Sequence, residues 1–246
     1  MKKGRKEGRE MKMLTGIISV VAAIILMMVS PGFATTLTFD YNIEFSGGTA
    51  PAGATPWLRA TFDDEANPGF VRLTMSALGL TGVEFVSEWS FNLSPLLDLM
   101  QLTFTAVNNA ASVPNSIGIG VNAFQAAGDG KYDILFAFPT SGSGGGVLRF
   151  TAGETVVYDI DYNGLGTFNA NSFDFLSAPA GGQGPFFSAA HVQGIGPTGE
   201  DSGWVASLGE DGGGTGESAV PEPATLFLLG AGLVGLAGYA RRRMKK

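Results

Sequence analysis

Apolar and polar side chains alternate along several stretches in the middle of the chain. In residues 36–45 every second side chain is large and apolar: Leu37, Phe39, Tyr41, Ile43 and Phe45. A period of two places these side chains on one face of a β-strand. Comparable stretches recur towards residue 206, separated by segments rich in Gly, Pro, Asn and Asp that are typical of turns. The pattern predicts about eight to ten strands.

The spacing of these strands is typical of a β-sandwich or jelly roll. Because the sequence shows no internal repeat of fixed period, a solenoid or propeller is disfavoured. We therefore predict an all-β fold, with a single β-sandwich or jelly-roll-like domain over residues 35–207. Only residues 93–102 have the apolar spacing that favours a short helix. Residues 208–219 are rich in Gly and acidic side chains and are interpreted as a flexible linker.

The N-terminal segment begins with a basic region and continues as an apolar run. Residues 2–12 carry the basic side chains and residues 14–29 are almost wholly apolar, with Gly32 and Ala34 following. This layout is typical of a secretory signal peptide that signal peptidase cuts between Ala34 and Thr35. Residues up to Ala34 are accordingly predicted to form a signal-peptide helix. An uncleaved N-terminal anchor is the alternative.

The C-terminal segment, residues 220–246, has three parts. These are a Pro-Glu-Pro step (Pro221, Glu222, Pro223), an uncharged apolar run (224–240) and a basic tail (241–246) that starts with Arg241, Arg242 and Arg243. As a helix, the apolar run spans roughly 25 Å, which is at the short end of what crosses a bilayer. The cations that follow favour a transmembrane helix over a buried core helix, because they hold a membrane helix in orientation. Positive charge at both ends of the chain predicts that the domain between them lies outside the cytoplasm.

The charge of the chain is distributed very unevenly. The net charge of the whole chain is −7, but residues 35–221 carry −15, with nineteen acidic side chains against four basic ones: Arg59, Arg72, Lys131 and Arg149. Such a domain does not bind nucleic acid electrostatically and is repelled by anionic lipid. The chain has no cysteine. A domain of this size can nevertheless form a stable hydrophobic core without disulfides.

The inventory of reactive side chains argues against catalysis. Without cysteine and with a single histidine, His191, thiol catalysis and sites with several histidines are excluded. A catalytic triad would have to use His191, and no nucleophile-elbow motif fits a strand-to-helix turn. No pair of carboxylates is singled out for glycoside hydrolysis. We therefore predict that the protein is not an enzyme, has no cofactor, and uses His191 structurally.

One segment resembles the first half of a calcium-binding loop. Asp159, Asp161 and Asn163 stand at alternate positions and Gly164 follows, so that oxygen ligands could converge on one cation. The second half does not fit, because Ala170 occupies the position where a bidentate carboxylate is needed. A strand that ends in an Asx-type turn is the preferred interpretation. The three residues remain a weak calcium candidate.

The three-part C-terminal segment resembles the PEP-CTERM sorting signal of Gram-negative bacteria. The resemblance rests on Pro221, Glu222 and Pro223, the glycine-rich apolar run and the arginines 241–243, in the same order and spacing. It implies recognition by exosortase, temporary lodging in the inner membrane with the β domain in the periplasm, and transfer to the cell surface or extracellular matrix. It also implies an association with exopolysaccharide and biofilm. Residues 173–206, which include His191 and Trp204, resemble a stretch found ahead of this signal in uncharacterised proteins.

The sequence thus predicts an exported, non-catalytic surface or matrix protein. Exosortase and signal peptidase are the expected processing partners, the inner membrane holds the transmembrane helix, exopolysaccharide is a candidate ligand, and nucleic acid is excluded. A secreted carbohydrate-active hydrolase and a small-ligand binding protein are the alternatives. Trp57 and Trp89 could stack on sugar rings if they were exposed, but core positions are the preferred interpretation for both.

Overall fold

The structure is a computed structural model that describes residues 35–64, 69–108, 112–141 and 149–209. The predicted signal peptide, the linker beyond residue 209 and the predicted sorting signal lie outside these residues. No helix within the described ranges is both long enough and apolar enough to cross a membrane.

Thirteen strands and two short 3₁₀ helices make up the regular structure of the described residues. In chain order the strands are β1 (Thr36–Tyr41), β2 (Ile43–Glu44), β3 (Leu58–Asp63), β4 (Phe70–Ser76), β5 (Phe85–Phe91), β6 (Leu102–Asn108), β7 (Ser116–Ala126), β8 (Gly130–Ala137), β9 (Phe150–Thr151), β10 (Thr155–Tyr162), β11 (Ala178–Pro179), β12 (Ser188–Ile195) and β13 (Asp201–Ser207). The 3₁₀ helices span Leu99–Gln101 and Ala170–Phe173. The prediction of an all-β fold is confirmed.

The strands form two antiparallel sheets. One has five strands in the order β1-β3-β4-β10-β6, and the other has eight, with the path β11-β8-β5-β12-β13-β2 and with β7 and β9 paired to β8 and β5. The two sheets face each other across one hydrophobic core. Tyr41 of the first sheet meets Trp89 of the second edge-on at 5.1 Å between ring centroids, and Phe62 meets Phe91 at 5.2 Å. Aromatic rings on both inner faces therefore hold the layers together.

Both tryptophans weighed for sugar stacking belong to this core. Trp89 is fully buried and Trp57 is 8% exposed. The Trp57 indole N–H donates to the Gly53 carbonyl at 2.9 Å, and the Trp89 indole N–H donates to the Tyr41 hydroxyl. Their polar atoms are satisfied inside the domain, so neither side chain is placed to stack on a polymer at the surface.

The first alternating stretch does not form one strand. It begins as β1 in the five-stranded sheet and, past Asn42, continues as β2 at the edge of the eight-stranded sheet. The Tyr41 carbonyl accepts from the Trp57 N–H at 3.1 Å, whereas the Asn42 N–H donates to the Ala206 carbonyl of the other sheet at 3.3 Å. The chain changes partner between these two residues. The period of two persists across the change because Phe45 packs in a second apolar cluster.

The predicted helix at residues 93–102 is wrong except for its last turn, Leu99–Gln101. Several backbone donors of the preceding residues bond to distant parts of the chain, although the Leu97 N–H donates to the Ser94 carbonyl at 3.0 Å in a local turn. The Leu93 N–H donates to the Asp133 carboxylate at 3.1 Å, and the Ser94 N–H donates to the Ser172 carbonyl at 2.8 Å. These tertiary bonds satisfy donors that a local helix would otherwise have used.

Candidate functional site

The residues of the predicted sorting motif and Ala34 lie outside the described part of the chain. Thr35, the predicted first residue after cleavage, is described. Its backbone N–H donates to the carboxylate of Asp64, next to the start of β1. The chain is thus attached to the domain from the first residue that would follow the predicted cut.

Of the three residues in the calcium candidate, Asp159 is already engaged by an arginine. Asp159 lies on β10 and its two carboxylate oxygens accept from the Arg72 guanidinium at 2.8 and 3.1 Å. Asp161 is two residues further along the same strand, opposite Thr103 on β6. The described residues contain no group of three or more His, Asp or Glu side chains arranged to hold a metal ion. Asp159 is thus charge-paired near the end of its strand, and the calcium interpretation of Asp159, Asp161 and Asn163 stays a weak candidate.

His191 lies on the outer face of the eight-stranded sheet and stacks on Trp204. The two rings are 4.8 Å apart and nearly parallel, at 8°, because the residues are direct cross-strand partners on β12 and β13. On the other side His191 is paired in register with Glu88 of β5. The three residues form a row across three strands, which joins parts of the chain more than a hundred residues apart.

The His191 imidazole in this row is partly buried, which disfavours its charged form. Burial lowers the pKa of His191 below its ordinary value and raises the pKa of Glu88. The Ser87 hydroxyl is 3.1 Å from His191 Nδ1 and 3.3 Å from the His191 carbonyl. Ser87 is only 2% exposed. A nucleophilic serine must reach a substrate, so this Ser–His contact is placed for structure rather than for acyl transfer.

Several acidic side chains hold loops by accepting hydrogen bonds from backbone N–H groups. Glu84, which is 2% exposed, accepts from Ala52 at 2.8 Å and from Thr81 at 2.7 Å, and so joins two loops. The same kind of bond is made by Asp64, Asp98, Asp129, Asp133 and Glu154. Part of the negative charge of the domain therefore stabilises loops that have no disulfides to fix them.

A pocket of about 280 Å³ opens beside the loop that follows β5. Its apolar wall is formed by Leu93, Leu97, Leu99, Val121, Phe175 and Leu176. The polar wall includes Asp133, whose carboxylate accepts from the Leu93 N–H at 3.1 Å and from the Asn122 N–H at 2.8 Å. The acid is thereby fixed in the wall, and the pocket offers mainly apolar contact. Sequence reasoning missed it because its lining comes from four separate segments.

The comparison with protein families matches residues 219–243 to the PEP-CTERM protein-sorting motif. The match covers the Pro-Glu-Pro step, the apolar run and the three arginines that the sequence analysis singled out. The chain therefore carries a PEP-CTERM signal and belongs to the class of exported proteins, here with an all-β domain. The signal supports exosortase-dependent sorting towards the cell surface. Comparisons with curated proteins and with solved structures gave no match.

Proposed function

We propose that the protein is a non-catalytic component of the cell surface or extracellular matrix, delivered by exosortase and associated with exopolysaccharide. The observation that carries the proposal is the PEP-CTERM motif at residues 219–243. During delivery the apolar run lodges in the inner membrane with the β domain in the periplasm. Exosortase then processes the chain near the Pro-Glu-Pro step and releases the domain to the surface.

The residues of the signal suit this sequence of events. Pro221 and Pro223 fix φ and remove two backbone donors, so the stretch in front of the membrane is stiff and extended. Glu222 supplies a negative charge at the outer face that a processing enzyme can grip. The apolar run 224–240 is short and glycine-rich, so the free energy of its insertion into the bilayer is only slightly favourable and the segment can be released.

The non-catalytic part of the proposal draws support from the state of the reactive groups. His191 stacks on Trp204, its Nδ1 lies against a buried hydroxyl, and burial lowers its pKa. Because Trp57 and Trp89 lie in the core, neither offers a stacking surface, and we assign contact with polymer to the acidic side chains of the domain. Divalent cations can bridge that surface to carboxylates of an acidic polysaccharide.

The sorting step is tested with two epitope tags, one inserted near Gly213 and one after Lys246. We expect the protein at the cell surface to keep the first tag and to lose the second. Replacing Pro221, Glu222 and Pro223 by Ala should leave both tags together in the inner membrane. A surface population that carries both tags would show that the segment is a permanent anchor.

The matrix role is tested with the protein recovered from the cell surface and the purified exopolysaccharide of the same organism. We expect weak retention on the polymer that calcium strengthens, without release of sugars. Released sugars would favour the alternative of a carbohydrate-active hydrolase. If the polymer does not retain the protein with or without calcium, the exopolysaccharide association is wrong.

A further inference from the structure

The first described residue lies close to the loop that follows β5. The Thr35 N–H donates to Asp64, and the other carboxylate oxygen of Asp64 accepts from the Ala170 N–H at 3.1 Å. In the same 3₁₀ turn the Ser172 carbonyl accepts from the Ser94 N–H at 2.8 Å. Three hydrogen bonds therefore connect the start of the described chain to the loop at residues 92–101.

The last described residues reach the same loop from the other sheet. The Ser207 carbonyl, at the end of β13, accepts from the Phe187 N–H at 3.3 Å, and the Phe187 carbonyl accepts from the Asn92 amide at 3.2 Å. The domain thus begins and ends at one end of the two-sheet structure. We call this the terminal end and define it as residues 35, 92–101, 163–176 and 207–209, together with Val121.

The terminal end carries large apolar side chains that project into solvent. Those with at least half of their surface exposed are Leu96, Met100, Val121, Leu165, Leu176 and Leu208. Leu96 is 89% exposed and Leu165 is 94% exposed. Two members of this set, Val121 and Leu176, line the apolar pocket beside Leu93, and sequence neighbours of Leu96 and Met100 line it as well. Exposed apolar groups gathered around a groove mark a contact surface rather than a scatter of single side chains.

Hydrogen bonds join the two segments that carry the most exposed leucines, Leu96 and Leu165. The Tyr162 hydroxyl accepts from the Asp98 N–H at 3.1 Å and donates to the Leu165 carbonyl at 3.2 Å. Asp98 also accepts from the Met100 N–H at 3.0 Å and caps the short 3₁₀ helix. The loop at 92–101 and the loop after β10 are therefore fixed to one another, and their leucine tips point outwards from a defined platform.

The charge of this end favours apolar over electrostatic contact. Segments 92–101 and 163–176 contain no basic residue and two acidic ones, Asp98, which is engaged with the backbone, and Asp174. An anionic surface would be repelled by a domain of this charge. A surface without net charge, into which side chains such as Leu96 and Leu165 can insert, suits these segments better.

We propose that the terminal end rests on the lipid bilayer while the protein is anchored. This inference depends on the proposed anchoring by residues 224–240. Ten residues, 210–219, connect the terminal end to the segment that carries the Pro-Glu-Pro step, and ten residues reach at most about 33–36 Å even when fully extended. The end that faces the bilayer at this distance is the end with the exposed leucines, because the chain leaves the domain there.

The absence of cysteine allows a direct test with single-cysteine variants of the full chain. Leu96→Cys and Leu165→Cys report on the terminal end. Leu78→Cys, just past the end of β4, and Val83→Cys, just before the start of β5, lie at the opposite ends of these strands. They serve as matched controls, since their side chains are 52% and 62% exposed. Each variant is labelled with an environment-sensitive fluorophore and reconstituted in phosphatidylcholine vesicles that contain nitroxide-labelled lipid. We expect a blue shift and a loss of emission at positions 96 and 165, and neither change at positions 78 and 83.

Flotation of the same vesicles separates failure of this inference from failure of the proposed function. If the chain floats with the vesicles, and a chain that ends at Ser218 does not, but the lipid quencher acts equally at both ends or at neither, the bilayer contact is wrong and the anchoring by residues 224–240 stands. A blue shift at position 96 or 165 without lipid quenching would also overturn it, because another molecule then covers the surface. If the chain does not float, residues 224–240 do not anchor it, and both proposals fall.

Discussion

The outer faces of the two sheets differ in what covers them. On the five-stranded sheet the outer face is polar, and Thr38, Thr61 and Thr74 lie side by side on β1, β3 and β4. The ion pairs Arg59–Asp40 and Arg72–Asp159 flank this row. The eight-stranded sheet instead carries a second apolar cluster on its outer face, built from Phe45, Ala126, Tyr132, Phe186, Ala189 and Ala206.

The second cluster is closed by loops that fold back over the sheet. Phe186 packs on Phe45 with 4.5 Å between ring centroids. Strand β12 of this sheet is buried along most of its length. The Gln183 amide donates to the Phe45 carbonyl at 3.0 Å and fastens the covering loop. Strands with one covered face alternate strictly in burial, whereas β5 and β12, covered on both faces, do not. The outer face of the five-stranded sheet is therefore exposed to solvent, whereas part of the outer face of the eight-stranded sheet is covered by loops.

The largest effect expected from this contrast is on stability. Phe45→Ala removes a side chain that is 2% exposed from the second cluster and should lower the free energy of unfolding by about 3–5 kcal/mol. Thr74→Ala on the outer face of the other sheet should change it by less than about 0.5 kcal/mol. Denaturant unfolding of the two purified variants measures both values. Equal losses would show that the outer faces are equally important to the fold.

A smaller loss of stability is expected when acidic side chains are removed, and its size depends on what each carboxylate binds. Glu84→Ala leaves the backbone N–H groups of Ala52 and Thr81 without their acceptor and should cost roughly 1–3 kcal/mol. Asp159→Ala removes only a partly exposed ion pair with Arg72 and should cost roughly 0.2–1 kcal/mol. The same unfolding experiment decides the order. A larger loss for Asp159→Ala would contradict the role assigned to the loop-holding carboxylates.

A weaker effect is expected from pH, through His191. Burial lowers the pKa of His191 in the folded protein, so the folded form takes up a proton less readily than the unfolded form. The free energy of unfolding should therefore decrease as the pH falls below about 6.5, the ordinary pKa of histidine. Glu88 acts in the opposite sense at lower pH, since its pKa is raised. The melting temperature of His191→Gln should therefore decrease less between pH 7 and pH 5 than the melting temperature of the parent protein. Identical profiles would mean that His191 does not titrate differently in the fold.

The smallest effect is expected from chelation of calcium. Asp159 is engaged by Arg72 on the polar outer face, so a chelator should leave the melting temperature of the protein unchanged. A lower midpoint that added calcium restores would show that Asp159, Asp161 and Asn163 do bind the ion. Asp161→Asn, which leaves the Arg72 pair intact, is the variant that would then remove the response.

The features that the sequence predicted correctly depend on neighbours along the chain. A period of two is a local pattern, and it was enough to identify an all-β protein and the buried face of β1. The sorting signal is likewise contiguous, because Pro221 to Arg243 are read in order by position, and the family match covers them. The preference of Trp57 and Trp89 for the core also followed from residue type alone, and burial confirmed it.

What the tertiary structure decided depends on residues that are far apart in sequence. The chain changes sheet at Asn42, and residues 93–98 do not form a helix, because Ala206, Asp133 and Ser172 supply hydrogen-bond partners from distant segments. The row of Glu88, His191 and Trp204 exists only through strand register. The sequence lists every donor, acceptor and apolar group, but local pattern does not say which of them meet, since a strand can pair with any other strand of matching polarity.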